Sequence, residues 1–459
     1  MTVLSFLVFL PCILSGTLVV HLLWPEKTIK AFLLKVSLGI GFGLGMSSIL
    51  YFLVLQAPAG HVDMLTVQII LLVLLLSITF LKERNQTWDG IRPPSLSYLQ
   101  WVMLGIFFLA SVIATLVFIK TIITRPQGVL DAWSIWNRAA RFIYRDPENW
   151  RATLSPDLAL FRHADYPLLV PLNVAWGWEA LGNETLRVPM LQSALFTFSI
   201  IMVMFSMLAF TRTIGQASLA SVVLIAYSGI IVEGTYLIAD VPVTYFILTS
   251  SVLMYLFVVR NESALLILSG FMAGLAGWTK NEGLLFIAVS PIALIVTSPN
   301  NIKRSLVAYL TGLAIPLLVI LYFKSLTPPN DLLNNNGLSL IEKITDISRY
   351  STIIKSFASS FLNRSFILVL LYTGIMHNKL TAVYRRGSYA IITLLGLQLL
   401  GYAAIYLITP NDLEWHLRTS QSRLFLQILP LALFLCFSIS LDPETVFQSN
   451  SKKINMSQS

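Results

Sequence analysis

Apolar residues fill most of the chain in long blocks, and short polar or charged stretches separate these blocks. About thirteen blocks approach the roughly 20 residues that a helix needs to cross a bilayer. They lie at 2–24, 31–56, 63–81, 99–119, 188–210, 216–233, 241–259, 263–279, 283–298, 305–323, 364–377, 388–409 and 423–441. The pattern predicts an all-α polytopic membrane protein with about 13 transmembrane helices.

Composition supports this class. The chain has 459 residues, of which 56% are hydrophobic and only 12% charged, and a soluble protein of this size could not hide so much apolar surface. Cys12 and Cys436 both fall inside apolar blocks, so we expect them to pack as small hydrophobic residues. The basic residues do not cluster with aromatic residues in a soluble domain, so we expect no nucleic-acid partner.

Basic residues indicate the orientation of the helices. They concentrate in alternate short connections, at Lys27, Lys30, Lys82, Arg84, Arg92, Arg212, Arg260, Lys303, Arg304, Arg385 and Arg386. The positive-inside rule places these connections in the cytoplasm, which puts the N-terminus outside and the C-terminus inside. The connections at 120–187, 324–363 and 410–422 then lie outside, as does a short break at 280–282.

The same pattern suggests three parts of the chain. Residues 1–98 form an N-terminal three-helix membrane extension. Residues 99–441 form the core, with the outer loops 120–187 and 324–363. Residues 442–459 are polar from Ser449 onward, and we expect them to form a disordered cytoplasmic tail.

The first outer loop contains an amphipathic segment, GVLDAWSIWNRAARFIYR, at 128–145. On a helix, one face would carry Asp131, Ser134, Arg138, Arg141 and Arg145, and the other Val129, Trp133, Trp136, Ala140 and Ile143. This predicts a helix lying in the membrane interface. A strut of this kind explains the Trp and Arg residues well and Asp131 less well, so we take Asp131 as a candidate catalytic carboxylate. His163 and Asp165 follow in the same loop and are candidate substrate-binding residues.

A second acidic residue, Asp240, stands at the outer end of the block at 241–259, in the sequence ADVP. It can simply cap the helix, because an acidic group at a helix N-terminus meets the positive end of the dipole. Alternatively, it is a second outward carboxylate that works with Asp131. Two such carboxylates could hold a divalent metal ion or divide the general-base and acceptor-binding roles. No His/Cys cluster indicates a zinc site.

Charged residues also interrupt the apolar run at 263–298, in the sequence WTKNEG. Charge inside a bilayer is expensive, so Lys280 and Glu282 predict an outer break between two short helices, with Gly283 permitting a close backbone approach. His416, Arg418 and Arg423 are predicted at the same rim. Each basic residue alone is explained as an interfacial anchor. As a set on the side of Asp131, they favour a phosphate site.

The order of these motifs resembles a known family. The acidic interfacial helix, HADYPLLVPL, ADVP, WTKNEG and finally DLEWHLRTSQSRLFLQILPLAL at 412–433 together resemble the GT-C superfamily of integral-membrane glycosyltransferases. The similarity is to the branch of bacterial protein O-mannosyltransferases and the lipid A aminoarabinose transferase, over residues 99–441.

The resemblance implies a hexosyl- or pentosyltransferase of the cell envelope in the bacterial plasma membrane, with its active site facing outside. Such an enzyme moves a sugar from a polyprenyl-phosphate donor to a hydroxyl of a lipid, glycan or protein acceptor, usually with inversion. Asp131 and Asp240 fall on the family's acidic motifs. Ala132 follows Asp131, so a mechanism that needs an acidic pair there is not carried over. Lys280 and Glu282 are either a solvated turn with an ion pair of little energy, or Lys280 binds the carrier phosphate while Glu282 orients Lys280 or touches the sugar.

Two other classes of function stay open. A secondary transporter would place its charges near the bilayer midplane, on broken helices within repeated halves. Here the charges lie at one rim, and no half-to-half repeat is visible. A lipid- or polysaccharide-handling membrane protein without transferase activity would keep the fold but has less need of Asp131 and Asp240.

Overall fold

The computed structural model describes residues 4–57, 63–84, 95–155, 157, 163–227, 229–297, 301–329, 339–361, 364–377 and 380–446. Within these ranges the regular elements are helices, and the one extended pairing is an isolated bridge between His377 and Ser440. The prediction of an all-α chain is confirmed.

The described residues form nineteen α-helices. They are α1 (Leu4–Leu7), α2 (Leu10–Leu23), α3 (Ile29–Val54), α4 (Met64–Glu83), α5 (Tyr98–Thr124), α6 (Asn137–Arg145), α7 (Leu169–Leu181), α8 (Arg187–Thr211), α9 (Ile214–Ala226), α10 (Gly229–Gly234), α11 (Asp240–Arg260), α12 (Ser263–Thr279), α13 (Glu282–Thr297), α14 (Ile302–Leu326), α15 (Leu340–Thr345), α16 (Ile347–Phe361), α17 (Arg364–Ile375), α18 (Ala382–Ile408) and α19 (Leu413–Ile439). A π-helical turn, Ala132–Trp136, precedes α6, and a 3₁₀ turn, Trp150–Leu154, follows it.

Eight of the described helices are long and apolar enough to cross a membrane, namely α3, α4, α5, α8, α11, α14, α18 and α19. Five shorter apolar segments lie in α2, α9, α12, α13 and α17. Helices α4 and α5 leave large apolar side chains on the surface, including Ile70, Phe80 and Phe108. Apolar surface on this scale fits acyl chains rather than water. The chain therefore has the construction of a multi-pass membrane protein.

Helix α11 lies at the centre of the bundle. It packs against α3, α8, α10, α12, α13, α18 and α19, and it is the most deeply buried of the eight long apolar helices. Its sequence is apolar on every side, which is typical of a buried helix, and small hydroxyl residues such as Ser250 allow close packing. Ser250 and Ser269 of α12 exchange hydrogen bonds across this contact. Asp240 begins this helix, so the candidate site starts from the most deeply buried of the long apolar helices.

The predicted N-terminal extension is built into the same bundle. Helix α3 packs on α7 and α8, and the Tyr245 hydroxyl of α11 donates a 2.7 Å hydrogen bond to the Ser37 carbonyl of α3.

Several predicted helix boundaries differ from the structure: the block at 2–24 holds both α1 and α2, and α18 begins at Ala382 rather than at 388. Two further differences bear on the site. The block at 216–233 contains two helices, α9 and α10, because the run is interrupted after Ala226 and Gly229 disfavours a continuous helix. The last block was predicted to begin at 423, but α19 begins at Leu413. Asp412 caps it by accepting a 2.8 Å hydrogen bond from the Trp415 amide. Most of the predicted outer loop 410–422 is therefore the first part of α19.

Charged residues predicted to share the cytoplasmic side meet at one end of the bundle. Arg260, at the end of α11, forms an ion pair with Glu26. His21 of α2 lies 2.7 Å from Glu83 at the end of α4. The ends of α2, α4 and α11 therefore lie close to charged partners from other connections.

The start of the C-terminal tail differs from the prediction of disorder. Arg212 lies 3.3 Å from Asp442, and Glu444 accepts hydrogen bonds from the Thr213 hydroxyl and the Gly215 amide. Residues 442–446 are therefore tied to α8 and α9, and the prediction is wrong for them. The rest of the predicted tail, 447–459, lies outside the described residues.

Candidate functional site

The break predicted in WTKNEG is present. Helix α12 ends at Thr279, Lys280 has an extended backbone, and α13 begins at Glu282. A Cβ atom on Gly283 would lie 2.0 Å from the carbonyl oxygen of Ala276, so only glycine lets α13 start this close to α12. The chain therefore reverses direction within three residues and presents Lys280 at the end of both helices.

Lys280 joins two carboxylates from different helices. Its ammonium lies 2.8 Å from Oδ1 of Asp240 and 2.8 Å from Oε1 of Glu282. Asp240 is only 1% exposed, so it needs a partner to remain charged. Burial works against the Lys280 ammonium, but the two carboxylates outweigh it and raise the pKa of Lys280 above its ordinary value. The three side chains form a compensated ionic unit, not a free lysine.

Polar side chains of α18 and α19 extend this unit. Gln427 donates a 3.0 Å hydrogen bond to Asp240 and accepts a 2.8 Å bond from the Tyr402 hydroxyl. Gln398 donates a 3.1 Å bond to Tyr402 and lies 3.5 Å from the Glu282 carbonyl oxygen. We call the set Asp240, Lys280, Glu282, Gln398, Tyr402 and Gln427 the buried polar network. It fixes α11, α13, α18 and α19 relative to one another at one end of the bundle.

Asp131 is held near this network by Arg423. The Arg423 guanidinium donates a 2.9 Å hydrogen bond to Oδ2 of Asp131. Their side chains are 30% and 37% exposed, so this pair lies at the rim while the buried polar network lies beneath it. Arg423 also acts electrostatically on Asp240 and Lys280. The structure thus brings together both predicted catalytic carboxylates and two of the predicted basic residues.

The chain before Asp131 is fastened to the segment that leads into α11. The Val129 amide donates a 3.3 Å hydrogen bond to the Tyr236 carbonyl. Gly128 has φ +70°, and a Cβ atom there would lie 2.3 Å from the same carbonyl oxygen. Glycine is therefore required at 128, both by its backbone conformation and by the close approach. This contact sets the position of Asp131 relative to Asp240.

The amphipathic segment is helical from Ala132 to Arg145, as predicted, but its faces differ in the first turn. Trp136, Ala140 and Ile143 are buried as expected. Ser134 is also buried, whereas Trp133 is 44% exposed. The π-helical turn inserts an extra residue into the usual spacing, so the faces assigned with a 3.6-residue period are wrong before Trp136.

His163 and Asp165 also lie beside the break. Asp165 accepts a 2.7 Å hydrogen bond from Asn281, and the Lys324 ammonium lies 3.4 Å from the same carboxylate. The His163 ring stacks on Tyr166 with centroids 4.4 Å apart. Burial and the nearby Glu282 raise the pKa of Tyr166, so its phenol stays protonated. The first outer loop therefore covers the turn between α12 and α13.

The last two predicted residues separate. The His416 imidazole forms a 2.9 Å hydrogen bond with the Thr409 hydroxyl. Glu282 and Arg423 act on it electrostatically. Arg418 is exposed and lines a groove between α16 and α19 with Ser356 and Ser359. The expectation that Arg418 converges with Lys280 on one phosphate site is wrong. His416 and Arg418 are two residues apart on α19, and a step of two residues rotates the side-chain direction by about 200° around the helix axis. The two side chains therefore point to different sides of α19.

A cavity of about 530 Å³ opens beside the site, between α9 and α10 on one side and α16 to α19 on the other. Its lining is mostly apolar, with Leu370, Leu399 and Phe425 among its walls. Glu233 of α10 is the one acidic residue among the described lining residues. Burial, reinforced by Asp240, raises the pKa of Glu233 to about 7. Sequence reasoning missed Glu233 because it ended a predicted apolar helix.

The carboxylates do not form an evident metal site. Among the described residues, no group of three or more His, Cys, Asp or Glu side chains is placed to share a metal ion. Asp240 and Glu282 are already bridged by an ammonium group. The residues present therefore do not fit the divalent ion that the sequence left open.

Comparison with known proteins identifies no relative. No family model matches the chain, and neither a curated protein nor a solved structure matches it.

Proposed function

We propose that this chain is a membrane glycosyltransferase that moves a sugar from a polyprenyl-phosphate donor to an acceptor hydroxyl, with inversion, outside the plasma membrane. The GT-C resemblance suggests this class and its thirteen or so crossings. The observation that carries the proposal is the position of the 530 Å³ apolar cavity. It ends at Glu233, within electrostatic range of Arg423, Asp240 and Lys280.

The cavity and the charged rim match the two halves of such a donor. A branched apolar chain can pass from the bilayer into an apolar cavity without contacting water, and the mostly apolar lining suits such a chain. Its phosphate must stay near the membrane surface and near a cation. Ser422 and Leu426 line the cavity, and Arg423, which lies between them in sequence, acts electrostatically on the lining residue Glu233. A guanidinium is well suited to phosphate because it presents several N–H donors in one plane.

Arg423 and Asp131 then exchange partners during the reaction. Without donor, Asp131 accepts the Arg423 hydrogen bond. A donor phosphate competes for the guanidinium and releases Asp131, whose side chain is open enough for an acceptor to approach. The acceptor oxygen attacks the anomeric carbon as Asp131 takes its proton. The bond from that carbon to the phosphate oxygen breaks, and its electron pair leaves with the phosphate.

The buried polar network positions these groups. Lys280 is bonded to two carboxylates, so its role in this proposal is to keep Asp240 and Glu282 charged and in place. Oε2 of Glu282 is buried and has no hydrogen-bond partner among the described residues. It is therefore the acceptor that we assign to a hydroxyl group of the sugar.

The first test removes the gene and compares cell-envelope glycolipids, glycans and glycoproteins by mass spectrometry. We expect one sugar increment to disappear from an envelope component. A deletion strain with an unchanged set of glycans would count against a transferase. Movement of a sugar or lipid across the membrane without any change in glycosidic linkages would favour a transporter instead.

The proposed orientation has its own prediction. Cys12 and Cys436 are buried and free, so single cysteines elsewhere should label over a low background. Glu148 lies in the first outer loop, and Arg386 lies near the start of α18, in a connection predicted to be cytoplasmic. Both residues are exposed. A membrane-impermeant maleimide added to intact cells should label Glu148→Cys and leave Arg386→Cys unlabelled until the membrane is opened. The reverse pattern would invert the topology and place Asp131 in the cytoplasm.

A further inference from the structure

Glu233 differs from the other carboxyl groups of the site. Asp131, Asp240 and Glu282 each contact a cationic side chain. For Glu233, no ion pair is present among the described residues, and its buried Oε2 has no hydrogen-bond partner there. It lies on α10, a six-residue helix outside the long apolar helices, and its side chain faces the apolar cavity. Glu233 as a whole is half-buried, and a carboxylate with a buried oxygen that lacks a partner is costly unless it is neutral or meets a ligand.

The charge balance of the site explains why a neutral Glu233 matters. The three paired carboxylates face two cations, Lys280 and Arg423, so the site carries about one net negative charge before a donor binds. A phosphodiester adds another negative charge. An ionised Glu233 would add a further one at the point where the phosphate enters.

We infer that Glu233 binds the donor in its protonated form and gives its proton to the departing phosphate. The assignment rests on the proposed transfer reaction. As the bond from the anomeric carbon to the phosphate oxygen breaks, the phosphate gains negative charge and takes the Glu233 proton, leaving a carboxylate. Asp131 holds the proton that came from the acceptor. Exchange with water then returns both groups to their starting states, so protons and electrons balance.

The surroundings of Glu233 support this division of roles. The charged groups that act on it are Asp240 on α11, which raises its pKa, and Arg423 and Lys280, which lower it. Burial dominates, and the resulting pKa of about 7 leaves the carboxyl group largely protonated below neutral pH. Two carboxyl groups in different environments, one buried and one at the rim, are the usual means of separating an acid from a base.

The test measures binding of a polyprenyl phosphate methyl ester, a phosphodiester that keeps a single charge across the range used, to the purified full chain in neutral lipid nanodiscs. Tryptophan fluorescence would give the dissociation constant from pH 5.5 to 9. For the wild type we expect the dissociation constant to be the same throughout the acid range and to rise about tenfold per pH unit above about pH 7. The reason is that one proton must be bound for the phosphodiester to bind. Glu233→Gln, which stays neutral but still donates hydrogen bonds, should give a flat profile.

Two controls separate the outcomes. Glu148→Gln changes an exposed carboxylate in the first outer loop and should keep the wild-type profile. The corresponding polyprenol, which lacks phosphate, should bind without pH dependence in every variant. If Glu233→Gln and the wild type share one pH profile, Glu233 is not the titrating group, although the transferase proposal stands. If the wild type fails to bind the phosphodiester at any pH, the proposed donor is wrong.

Discussion

Replacing Lys280 by methionine is expected to lower the free energy of unfolding by about 3–5 kcal/mol and to reduce the amount of folded protein in the membrane. The substitution keeps most of the side-chain volume but removes the charge between Asp240 and Glu282. Two carboxylates then remain next to each other in a buried setting, and breaking a buried ion pair typically costs this much. Thermal denaturation of the purified protein in detergent would measure the loss.

A double substitution identifies the cause. Asp240→Asn in the Lys280→Met background removes one of the two stranded charges, so the double variant should be more stable than Lys280→Met alone. Lys355→Met, at an exposed position on α16, should change stability by less than about 0.5 kcal/mol. Losses that simply add in the double variant would show that Lys280 and Asp240 do not depend on each other.

Asp131→Asn is expected to reduce sugar transfer by about 10²–10⁴-fold, the usual contribution of a general base. Asparagine has nearly the same shape and can still accept the Arg423 hydrogen bond, so the rim should keep its structure. Asp131 is more than a third exposed, and we expect little change in stability. Complementation of the deletion strain, with quantification of the restored glycan by mass spectrometry, would give the loss.

Glu148→Gln is the matched control for this prediction, because it removes a carboxylate from the same outer loop without touching the site. It should complement fully. Asp131→Asn protein that is present at the wild-type level and restores the glycan at the wild-type rate would exclude Asp131 as the base.

The sequence predicted those parts of the site that depend on local pattern. Charge within an apolar run identified the break at Lys280 and Glu282, since two charged residues within three positions are costly in a lipid-facing helix. Asp240 before a proline indicated the start of α11 in the same way. Each of these features is decided by neighbouring residues, so a single sequence is sufficient to find it.

Pairings between distant residues could not be predicted. Asp131 and Arg423 are 292 residues apart, and their contact depends on how the first outer loop rests against α19. Lys280 was assigned to a phosphate because nothing local shows that it lies between two carboxylates. The π-helical turn before α6 likewise shifted Ser134 and Trp133 to unexpected faces, and no residue in the segment marks that turn.

The sequence contains three further signals of the site. Gln427 interrupts the apolar run LFLQILPL, and a polar residue inside a membrane helix is a candidate functional residue by default. Glu233 stands beside Gly234 at the end of a predicted apolar helix, where the chain was treated as a simple connection. The start of α19 was also visible in Asp412, which would have shown that Arg418 and Arg423 share one helix and therefore face different directions.

The most direct test of the account is to supply purified protein in liposomes with a panel of polyprenyl-phosphate-linked sugars and an extract of envelope acceptors, and to measure the polyprenyl phosphate released. We predict release from at least one donor, together with the matching sugar increment on an acceptor, and loss of both with Asp131→Asn. Release that persists in Asp131→Asn, or no consumption of any donor by an otherwise folded wild type, would contradict the proposed transferase.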